Sequence, residues 1–271
     1  MTGLALLALR LSQLQLWEGA RYRDMARRNA LDVEQIPPRR GRILDRRGAL
    51  LADSELVFDL LELPGSDGLP VALRRLGIPR LRGLSREEIA RVEAHRRELP
   101  PFRVLVRSRR VYPQGRVAAH LLGTLRWDGD RQRGTSGLEA SYEPWLRGRQ
   151  GLLKRMVDAR GRQVQPLWER RPRAGCDLYL TLDLRLQRVA ERLLAGKRGA
   201  IVAMDPRSGQ VLALASSPGF DPNALSRGIS ASGWRRLIND RGGPLLNRAI
   251  AGVYPPGSCL KPLIALAALQ E

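Results

Sequence analysis

Apolar and polar positions alternate in short runs along this chain, and the runs are easiest to assign toward its C-terminal end. Residues 176–183, "CDLYLTLD", predict a strand, and Asp183 is a suitable N-cap for a helix that ends at Gly196. Two apolar runs that flank "PRSG", within residues 199–217, predict a β-hairpin. Because both runs are almost continuously apolar, we expect a sheet that is covered on both faces. A long loop, residues 219–257, follows.

The N-terminal half predicts smaller pieces of structure. "RILD" and "ALLA", on either side of Gly48, predict a β-hairpin that turns at this glycine. Residues 60–111 combine strand-like and helical patterns, and Ser85 with Glu88 predicts a capping box at the start of a helix. A polar stretch that contains Pro and Gly, residues 169–175, predicts a domain boundary. The mixture of strand and helix signals predicts an α+β protein.

The histidines and cysteines do not suggest a metal site. His95 falls on the charged helix and is expected to be solvated, whereas His120 falls on a short apolar helix, where we expect a hydrogen-bonded packing role. Cys176 and Cys259 show no zinc-ligand spacing, and nothing in the sequence indicates that they meet. We expect two small, semi-buried apolar side chains, and neither a metal nor a cofactor.

The first residues are markedly apolar. Residues 3–17, "GLALLALRLSQLQLW", contain a single charge, Arg10, but a full membrane span needs about 20 apolar residues. No basic start or cleavage site of a signal peptide is evident. The alternatives are a buried amphipathic helix and the outer end of a membrane helix. We favour a truncated anchor over residues 1–17 with Trp17 at the interface, followed by a polar, helix-forming stalk over residues 18–29.

The chain is strongly basic. Lys and Arg number 47 against 27 Asp and Glu, which gives a net charge of +20, compatible with nucleic acid or an anionic membrane as partner. The arginines are spread over the whole length, however, and aromatic residues make up only 5 %, too few for an evident base-stacking surface. We therefore expect a solvated, arginine-rich surface and no nucleic-acid partner.

Lysine is rare against this background, which makes each lysine informative. The lysines are Lys154, Lys197 and Lys261, and only Lys261 has a serine three residues before it, Ser258. Residues three apart at a helix start share one face, so a neutral Lys amine can take the proton of the Ser hydroxyl, whereas the guanidinium of Arg cannot. N–H groups at a helix start can also stabilise an oxyanion. The pair predicts Ser258 as nucleophile and Lys261 as general base.

A Ser-x-x-Lys spacing is common by chance, so its context matters. It follows "YPPG" and precedes the apolar run "PLIALAAL", whose first residue, Pro262, disfavours helical angles at Lys261 outside a first turn. Longer stretches resemble class B penicillin-binding proteins, specifically the penicillin-binding protein 2 type that serves cell elongation. The similar stretches are "RGRILDRRGALLA" (40–52), "YPQGRVAAHLLG" (112–123), "GTSGLEASYEPWLRGRQG" (134–151), "IVAMDPRSGQVLALASSPGFDPN" (201–223) and "PLLNRAIAGVYPPGSCLKP" (244–262).

The resemblance implies a domain plan and an activity. It implies the anchor at residues 1–17, a periplasmic pedestal at 18–173 with a mixed head subdomain at about 60–111, and the first part of a transpeptidase domain at 174–271. It implies a serine-type D,D-transpeptidase or carboxypeptidase that cross-links peptidoglycan stem peptides through acyl-Ser258, and β-lactams that acylate the same serine. It also implies an inner-membrane location and contacts with a polytopic SEDS-type glycosyltransferase and elongation scaffold proteins.

Two features depart from the family pattern. Cys259 replaces the Thr or similar residue that usually follows the serine. The Ser-x-Asn and Lys-Thr-Gly motifs, which follow the serine in the family, do not occur between Lys261 and Glu271. We therefore expect an incomplete and poorly active fragment. The alternatives are a non-catalytic pedestal or interaction module, an arginine-rich nucleic-acid binder with salt-dependent binding, and a β-lactam-hydrolysing enzyme, against which the long pedestal argues.

A topology reporter tests the expected location. If residues 1–17 end a membrane helix, the residues after Trp17 face the periplasm. A reporter that works only in the cytoplasm should then be silent when it is fused after Arg28. An active reporter at this position would contradict the expected topology.

Overall fold

A computed structural model of the protein describes residues 10–14, 18, 31–63, 67–157 and 163–270. The strands in these ranges are β1 (Leu31–Ile36), β2 (Ile43–Leu44), β3 (Leu50–Glu62), β4 (Phe102–Val111), β5 (Leu125–Asp128), β6 (Arg131–Gly134), β7 (Gly151–Val157), β8 (Gln163–Arg170), β9 (Leu178–Tyr179), β10 (Gly199–Met204) and β11 (Val211–Ser217). The helices are α1 (Leu69–Arg75), α2 (Arg86–Ala94), α3 (Ala119–Leu122), α4 (Gly137–Ser141), α5 (Glu143–Leu146), α6 (Leu184–Leu193), α7 (Pro222–Arg227), α8 (Ala231–Asn239), α9 (Arg248–Ala251) and α10 (Lys261–Gln270). The mixture of short helices and mainly antiparallel sheets confirms the predicted α+β class.

The strands form several small sheets. In the described ranges, one sheet has the order β1-β7-β8, and β5 with β6 and β10 with β11 form antiparallel pairs. Another sheet has the order β4-β3-β2-β9, in which β2 runs antiparallel to β3 and parallel to β9. The parallel pair places Ile43 opposite Leu178, so segments far apart in sequence share one sheet.

The chain divides into two compact units that interleave along the sequence. Unit 1 comprises Met1–Arg40, Leu56–Ser108 and Arg147–Cys176, and unit 2 comprises Gly41–Glu55, Arg109–Leu146 and Asp177–Glu271. This division rests on packing and does not follow contiguous stretches of chain. The domain boundary at residues 173 and 174, which concerns contiguous domains, stays a prediction.

Unit 1 packs helices α1 and α2 against strand segments. Its buried apolar residues are Leu60, Leu69, Leu73, Ile78, Leu84, Ile89, Val92 and Phe102. Helix α2 begins at the predicted capping box. The hydroxyl of Ser85 accepts the N–H of Glu88 at 3.2 Å, and the carboxylate of Glu88 accepts the N–H of Ser85 at 2.7 Å. These reciprocal bonds fix the first turn of α2 and so place Ile89 and Val92 in the core.

Unit 2 has a core next to the β2–β3 hairpin. Its buried apolar residues are Ile43, Leu51, Ala52, Tyr112, Ala118, Leu122, Leu125, Leu146, Leu182 and Leu184. The buried carboxylate of Asp45 accepts the N–H groups of Arg47 at 2.8 Å and Ala49 at 2.7 Å through Oδ1. Its Oδ2 accepts the N–H of Leu184 at 3.1 Å. Gly48 adopts a φ of +81° in the hairpin turn, as predicted, and Asp45 joins this turn to the start of α6.

Unit 2 also contains a buried ion pair. The guanidinium of Arg110 on β4 donates through Nε to the carboxylate of Glu139 on α4 at 2.6 Å, and the exposed fraction of both side chains is 0 %. Arg110 also donates to the carbonyl of Gly41 at 2.6 Å, and the hydroxyl of Tyr112 donates to Glu139 at 3.4 Å. A buried charge that loses its partner is very costly, so Arg110 and Glu139 depend on each other.

The strand predicted over residues 176–183 is reduced to β9, Leu178–Tyr179, whereas the cap and helix that follow agree with the prediction. The carboxylate of Asp183 caps α6 by accepting the N–H of Arg185 at 3.0 Å, and Gly196 follows the helix with a φ of +72°. Strands β10 and β11 form the predicted hairpin. The expected cover on both faces is wrong for the described residues. Ala213 of β11 packs on α6, whereas Val202 on β10 is 47 % exposed, because only one face of this short hairpin meets α6.

The predicted long loop at residues 219–257 is also wrong, since helices α7, α8 and α9 form within it. The N-cap residues of these helices, whose side chains each accept a backbone N–H, are Asp221, Ser230 and Asn247. Local capping therefore starts helices that are too short to produce a clear apolar period.

His95 also differs from expectation: it is partly buried, with Nδ1 3.0 Å from the carbonyl oxygen of Arg91.

The N-terminal predictions are described only in small part. The expected anchor at residues 1–17 and the expected stalk at 18–29 fall almost entirely outside the described residues. Within the described ranges, no helix has both the length and the apolar composition needed to cross a membrane.

Removing one partner of the buried ion pair should destabilise unit 2 strongly. Glu139→Ala should lower the free energy of unfolding by about 3–5 kcal/mol, because the charge of Arg110 is left buried and unpaired. Urea denaturation at neutral pH measures this change. The matched control, Glu93→Ala, removes an exposed pair with Arg96 and should cost less than about 1 kcal/mol. Small and equal losses in both variants would contradict the argument.

Candidate active site

Ser258 and Lys261 lie in one tight turn. Gly257–Leu260 form a 3-10 turn, and α10 begins directly after it at Lys261. The backbone N–H of Lys261 donates to the carbonyl of Ser258. Residues three apart in such a turn lie above one another, so both side chains leave the backbone on the same side. Both residues are exposed, and their roles as nucleophile and base stay a prediction.

Pro262 does not prevent Lys261 from adopting helical angles. The φ and ψ of Lys261 are −55° and −41°. Pro262 is the second residue of α10, and an N–H is not needed for hydrogen bonding in the first turn of a helix. The proline therefore occupies the one part of a helix that tolerates it, as the sequence led us to expect.

The helix that starts at Lys261 exposes its apolar side chains. Leu263, Ile264, Leu266 and Leu269 are each 60 % or more exposed. A helix that is apolar around its whole circumference is normally buried, so α10 has the composition of a core helix without a cover in this chain.

The cysteines are exposed rather than semi-buried, which corrects the expectation from the sequence. Cys176 and Cys259 are both free thiols, and Cys259 is exposed because the 3-10 turn itself lies at the surface. In the part of the chain that the structure describes, no group of His, Cys, Asp or Glu is arranged to hold a metal ion.

The segment that leads into the turn is attached to β11. The backbone N–H of Arg248, at the start of α9, donates to the hydroxyl of Ser216 at 2.9 Å, and this hydroxyl donates to the carbonyl of Leu246 at 3.2 Å. The side chain of Arg248 is buried. Its guanidinium donates to the carbonyl of Gly242 and, at 3.0 Å, to that of Gly243. Among the described residues, these hydrogen bonds use backbone groups, the guanidinium of Arg248 and the hydroxyl of Ser216.

His120 reaches the same segment from α3. Its Nε2 lies 2.8 Å from the carbonyl oxygen of Pro244, and its ring packs edge-on against Phe220 at a centroid distance of 5.2 Å. Burial lowers the pKa of His120 below its ordinary value, and the positive charge of Arg248 lowers it further, while the bond to Pro244 acts in the opposite direction. The predicted hydrogen-bonded packing role of His120 is confirmed.

Helix α7 carries polar residues that the sequence reasoning did not single out. The amide of Asn223 accepts the N–H of Tyr112 and donates to the carbonyl of the same residue, both at 2.9 Å. The hydroxyl of Ser226 donates to the carbonyl of Arg110. Asp221 as a cap before a proline is a readable signal for the helix itself. The partners of Asn223 and Ser226, more than 100 positions away, have no local signal.

Two family models match separate parts of the chain. The model described as "Penicillin-binding Protein dimerisation domain" matches residues 75–180, and the model described as "Penicillin binding protein transpeptidase domain" matches residues 199–271. The first range contains His120, and the second contains Arg248, Ser258 and Lys261.

Curated relatives align over almost the whole chain. "Peptidoglycan D,D-transpeptidase MrdA" of Escherichia coli K12 is 34 % identical over 304 residues, which cover 96 % of this chain and 48 % of the relative. The protein of the same name from Acinetobacter baumannii is 35 % identical over 307 residues, which cover 98 % of this chain and 46 % of the relative. The chain therefore spans about half the length of the curated relatives it matches.

Solved structures share the fold. A complex between penicillin-binding protein 2 and MreC from Helicobacter pylori matches with a TM-score of 0.72 and 27 % identity, over 89 % of this chain and 52 % of that chain. A structure described as "Structural coordination of polymerization and crosslinking by a peptidoglycan synthase complex" matches with a TM-score of 0.63 and 32 % identity, over 91 % of this chain and 50 % of that chain.

The lowered pKa of His120 predicts that acid destabilises unit 2. The folded state favours the neutral imidazole of His120. The contribution of this imidazole to the free energy of unfolding is therefore complete above the ordinary pKa of 6.5, and it is lost as the pH falls toward the lowered pKa of the folded state. Between about pH 7.5 and about pH 5, the free energy of unfolding should fall more in the natural chain than in His120→Gln, which cannot titrate. Urea denaturation at several pH values measures the difference, and parallel curves would refute it.

Proposed function

Because the chain belongs to the class B penicillin-binding proteins, of the penicillin-binding protein 2 type, we propose that it is part of a peptidoglycan D,D-transpeptidase of cell elongation. The observation that carries this proposal is the tight turn that places Ser258 three residues before Lys261, within the range matched by the transpeptidase model. The relatives named peptidoglycan D,D-transpeptidase support the class of reaction.

In the proposed first step, the hydroxyl of Ser258 attacks the carbonyl carbon of the penultimate D-Ala of a stem peptide. The proton of Ser258 passes to the neutral amine of Lys261 and then to the nitrogen of the terminal D-Ala, which leaves as the peptide bond breaks. Backbone N–H groups stabilise the negative oxygen of the intermediate. An amine of a second stem peptide then attacks the acyl-serine ester and forms the cross-link; the bond to the serine oxygen breaks, and a proton of the amine passes through Lys261 to the oxygen of Ser258. A β-lactam would acylate the same oxygen.

The reaction is proposed for a protein that is longer than these residues. The chain spans about half of its curated relatives, and sites of this family also use Ser-x-Asn and Lys-Thr-Gly motifs. Positioning and oxyanion stabilisation supply much of the rate in acyl transfer, so we propose that residues 1–271 alone are nearly inert toward β-lactams. The exposed apolar side chains of α10 would also promote association of the isolated chain.

A second candidate function is that of a non-catalytic interaction module of the elongation machinery. The observation that favours it is the likeness to penicillin-binding protein 2 solved in a complex with MreC and to a chain of a peptidoglycan synthase complex. We propose scaffold proteins and a polytopic SEDS-type glycosyltransferase as partners. The proposed location is the bacterial inner membrane, with most of the chain in the periplasm.

Incubation with a fluorescent penicillin tests the catalytic proposal. The 271-residue chain should stay unlabelled, whereas a chimaera continued by the C-terminal half of the Escherichia coli K12 relative should become labelled stoichiometrically. In the chimaera, Ser258→Ala should abolish labelling. Lys261→Arg should slow it by about 10²-fold or more, because a guanidinium cannot accept the serine proton. In-gel fluorescence against time measures the rate.

Lys197→Arg is the matched control, since it makes the same substitution outside the turn and should leave the labelling rate unchanged. Labelling of the 271-residue chain that depends on Ser258 would show that the further motifs are dispensable. A chimaera with Lys261→Arg that labels at the natural rate would exclude Lys261 as the base.

A further inference from the structure

We propose that Arg248 and His120 are positioning residues that together hold one loop, residues 242–246, and thereby fix the approach of the chain to Ser258. The link to catalysis rests on the proposed function, because it requires Ser258 to be the reacting residue. The holding of the loop does not rest on that function.

Two side chains bind most of the carbonyl groups of this loop. The guanidinium of Arg248 donates to the carbonyls of Gly242 and Gly243, and it lies 3.5 Å from that of Leu246. The imidazole of His120 lies 2.8 Å from the carbonyl oxygen of Pro244. The loop is therefore bound by two side chains from different elements, and we call this arrangement the loop clamp.

Because Arg248 is buried, its positive charge destabilises the fold unless hydrogen bonds compensate for the lost water. The residue is 6 % exposed, and within the described ranges no Asp or Glu forms an ion pair with its guanidinium. A buried charge without a carboxylate must be compensated by several oriented hydrogen bonds. The planar guanidinium can reach neighbouring carbonyls at once, which the single ammonium of Lys does less well.

The loop starts at residues with unusual backbone freedom. It begins with two adjacent glycines, Gly242 and Gly243, and Gly243 has a φ of +59° that other residues rarely adopt. A Cβ atom at Gly243 would lie 3.2 Å from Nη2 of Arg248, so the guanidinium packs closely over the glycine. Local bonds also support the loop, from the N–H of Leu246 to the carbonyl of Gly243 at 3.1 Å and from the N–H of Gly242 to the carboxylate of Asp240 at 2.7 Å, and the bonds from Arg248 and His120 add to them.

The segment between Arg248 and Ser258 is short, and it leaves α9 through a tight turn. A Cβ atom at Gly252 would lie 2.6 Å from the carbonyl oxygen of Arg248 and 2.6 Å from the ring of Tyr254, which shows how tightly α9 turns into the next residues. Pro255 and Pro256 follow, and each proline ring fixes its own φ. Val253 is 97 % exposed, so the two prolines and the turn at Gly252, rather than packing, restrict the connection between α9 and the turn that contains Ser258.

The clamp joins the two matched ranges of the sequence. His120 lies in the range of the dimerisation model, and Arg248 lies in the range of the transpeptidase model. His120 also packs against Phe220 in the second range. A substitution at residue 120 is therefore expected to alter the behaviour of Ser258, although the two residues belong to different family models.

The mobility of a label on Cys259 tests the clamp in the 271-residue chain. Cys259 is exposed and adjacent to Ser258, and Cys176→Ser leaves it as the labelled thiol. A nitroxide on Cys259 should give sharper electron paramagnetic resonance lines in Arg248→Met, because the loop loses its donors. Arg248→Lys should restore part of the immobilisation. The matched control is Arg227→Met, which removes an exposed arginine that donates to the carbonyl of Asn223 at 3.3 Å and should leave the lines unchanged.

The labelling chimaera then tests the link to catalysis. A displacement of about 1 Å can cost up to about 10²-fold in rate, so acylation by the fluorescent penicillin should fall at least about tenfold in Arg248→Met and recover partly in Arg248→Lys. Mobilisation of the Cys259 label without any fall in acylation would overturn the positioning role. If the parent chimaera is not acylated while the label responds as expected, the proposed function fails and the clamp stands.

A folding defect does not leave the proposal undecided. Circular dichroism shows whether Arg248→Met is folded, and a folded variant with an unchanged label would overturn the proposal. If Arg248→Met does not fold, the variants His120→Ala and His120→Gln test the proposal instead. His120→Ala should mobilise the label, and His120→Gln, which keeps an N–H donor, should do so less. An immobile label in a folded His120→Ala would overturn the shared clamp.

Discussion

The ion pair between Arg110 and Glu139 is the interaction on which the arrangement of unit 2 depends. Both side chains are fully buried, and Arg110 also binds the carbonyl of Gly41, just before β2. Hydrophobic burial has no preferred direction, so it cannot by itself select which segments adjoin. A buried charge pair is directional, so it favours the arrangement that brings Arg110 and Glu139 together, because either charge left alone would be costly. Helix α7 then bonds to the backbone of the same stretch of β4 and the residue after it, through Ser226 to Arg110 and through Asn223 to Tyr112.

The arginines of this chain contribute to its buried structure as well as to its surface charge. Most arginines are solvated, as the spread of charge along the sequence predicts, but Arg40, Arg110 and Arg248 are buried. Arg110 is neutralised by a carboxylate, whereas Arg248 is held by backbone carbonyls. A guanidinium keeps its charge and offers several donors in one plane, so it can fasten loops that carry no side-chain acceptors. Part of the excess positive charge therefore serves the fold.

The proposed reactive turn follows a segment that hydrogen bonds of this kind hold in place. Strand β11 holds α9 through Ser216, and α9 leads through two prolines into the turn with Ser258 and Lys261. The fixed part of the site thus lies before Ser258, while α10 after it exposes its apolar side chains. The chain spans about half the length of its curated relatives. We therefore expect the cover for α10 and the further catalytic groups to come from the rest of the family fold.

Features that depend on short-range chemistry could be predicted from the sequence. The capping box at Ser85, the glycine turn at Gly48, the Asp183 cap and the β10–β11 hairpin each depend on residues a few positions apart, and each was predicted. The Ser-x-x-Lys spacing and the family stretches around it were equally readable, although the roles of Ser258 and Lys261 stay predictions. These features need no knowledge of distant partners.

Other contacts became visible only in the folded chain, because their partners lie far apart in the sequence. No local pattern distinguishes Arg110 from the solvated arginines, yet its partner Glu139 lies 29 positions away in a buried site. His120 meets Pro244 at a separation of 124 residues, and Asn223 meets Tyr112 at 111. The short helices between residues 219 and 257 escaped prediction for a different reason, since helices of four to nine residues are too short to show a clear apolar period.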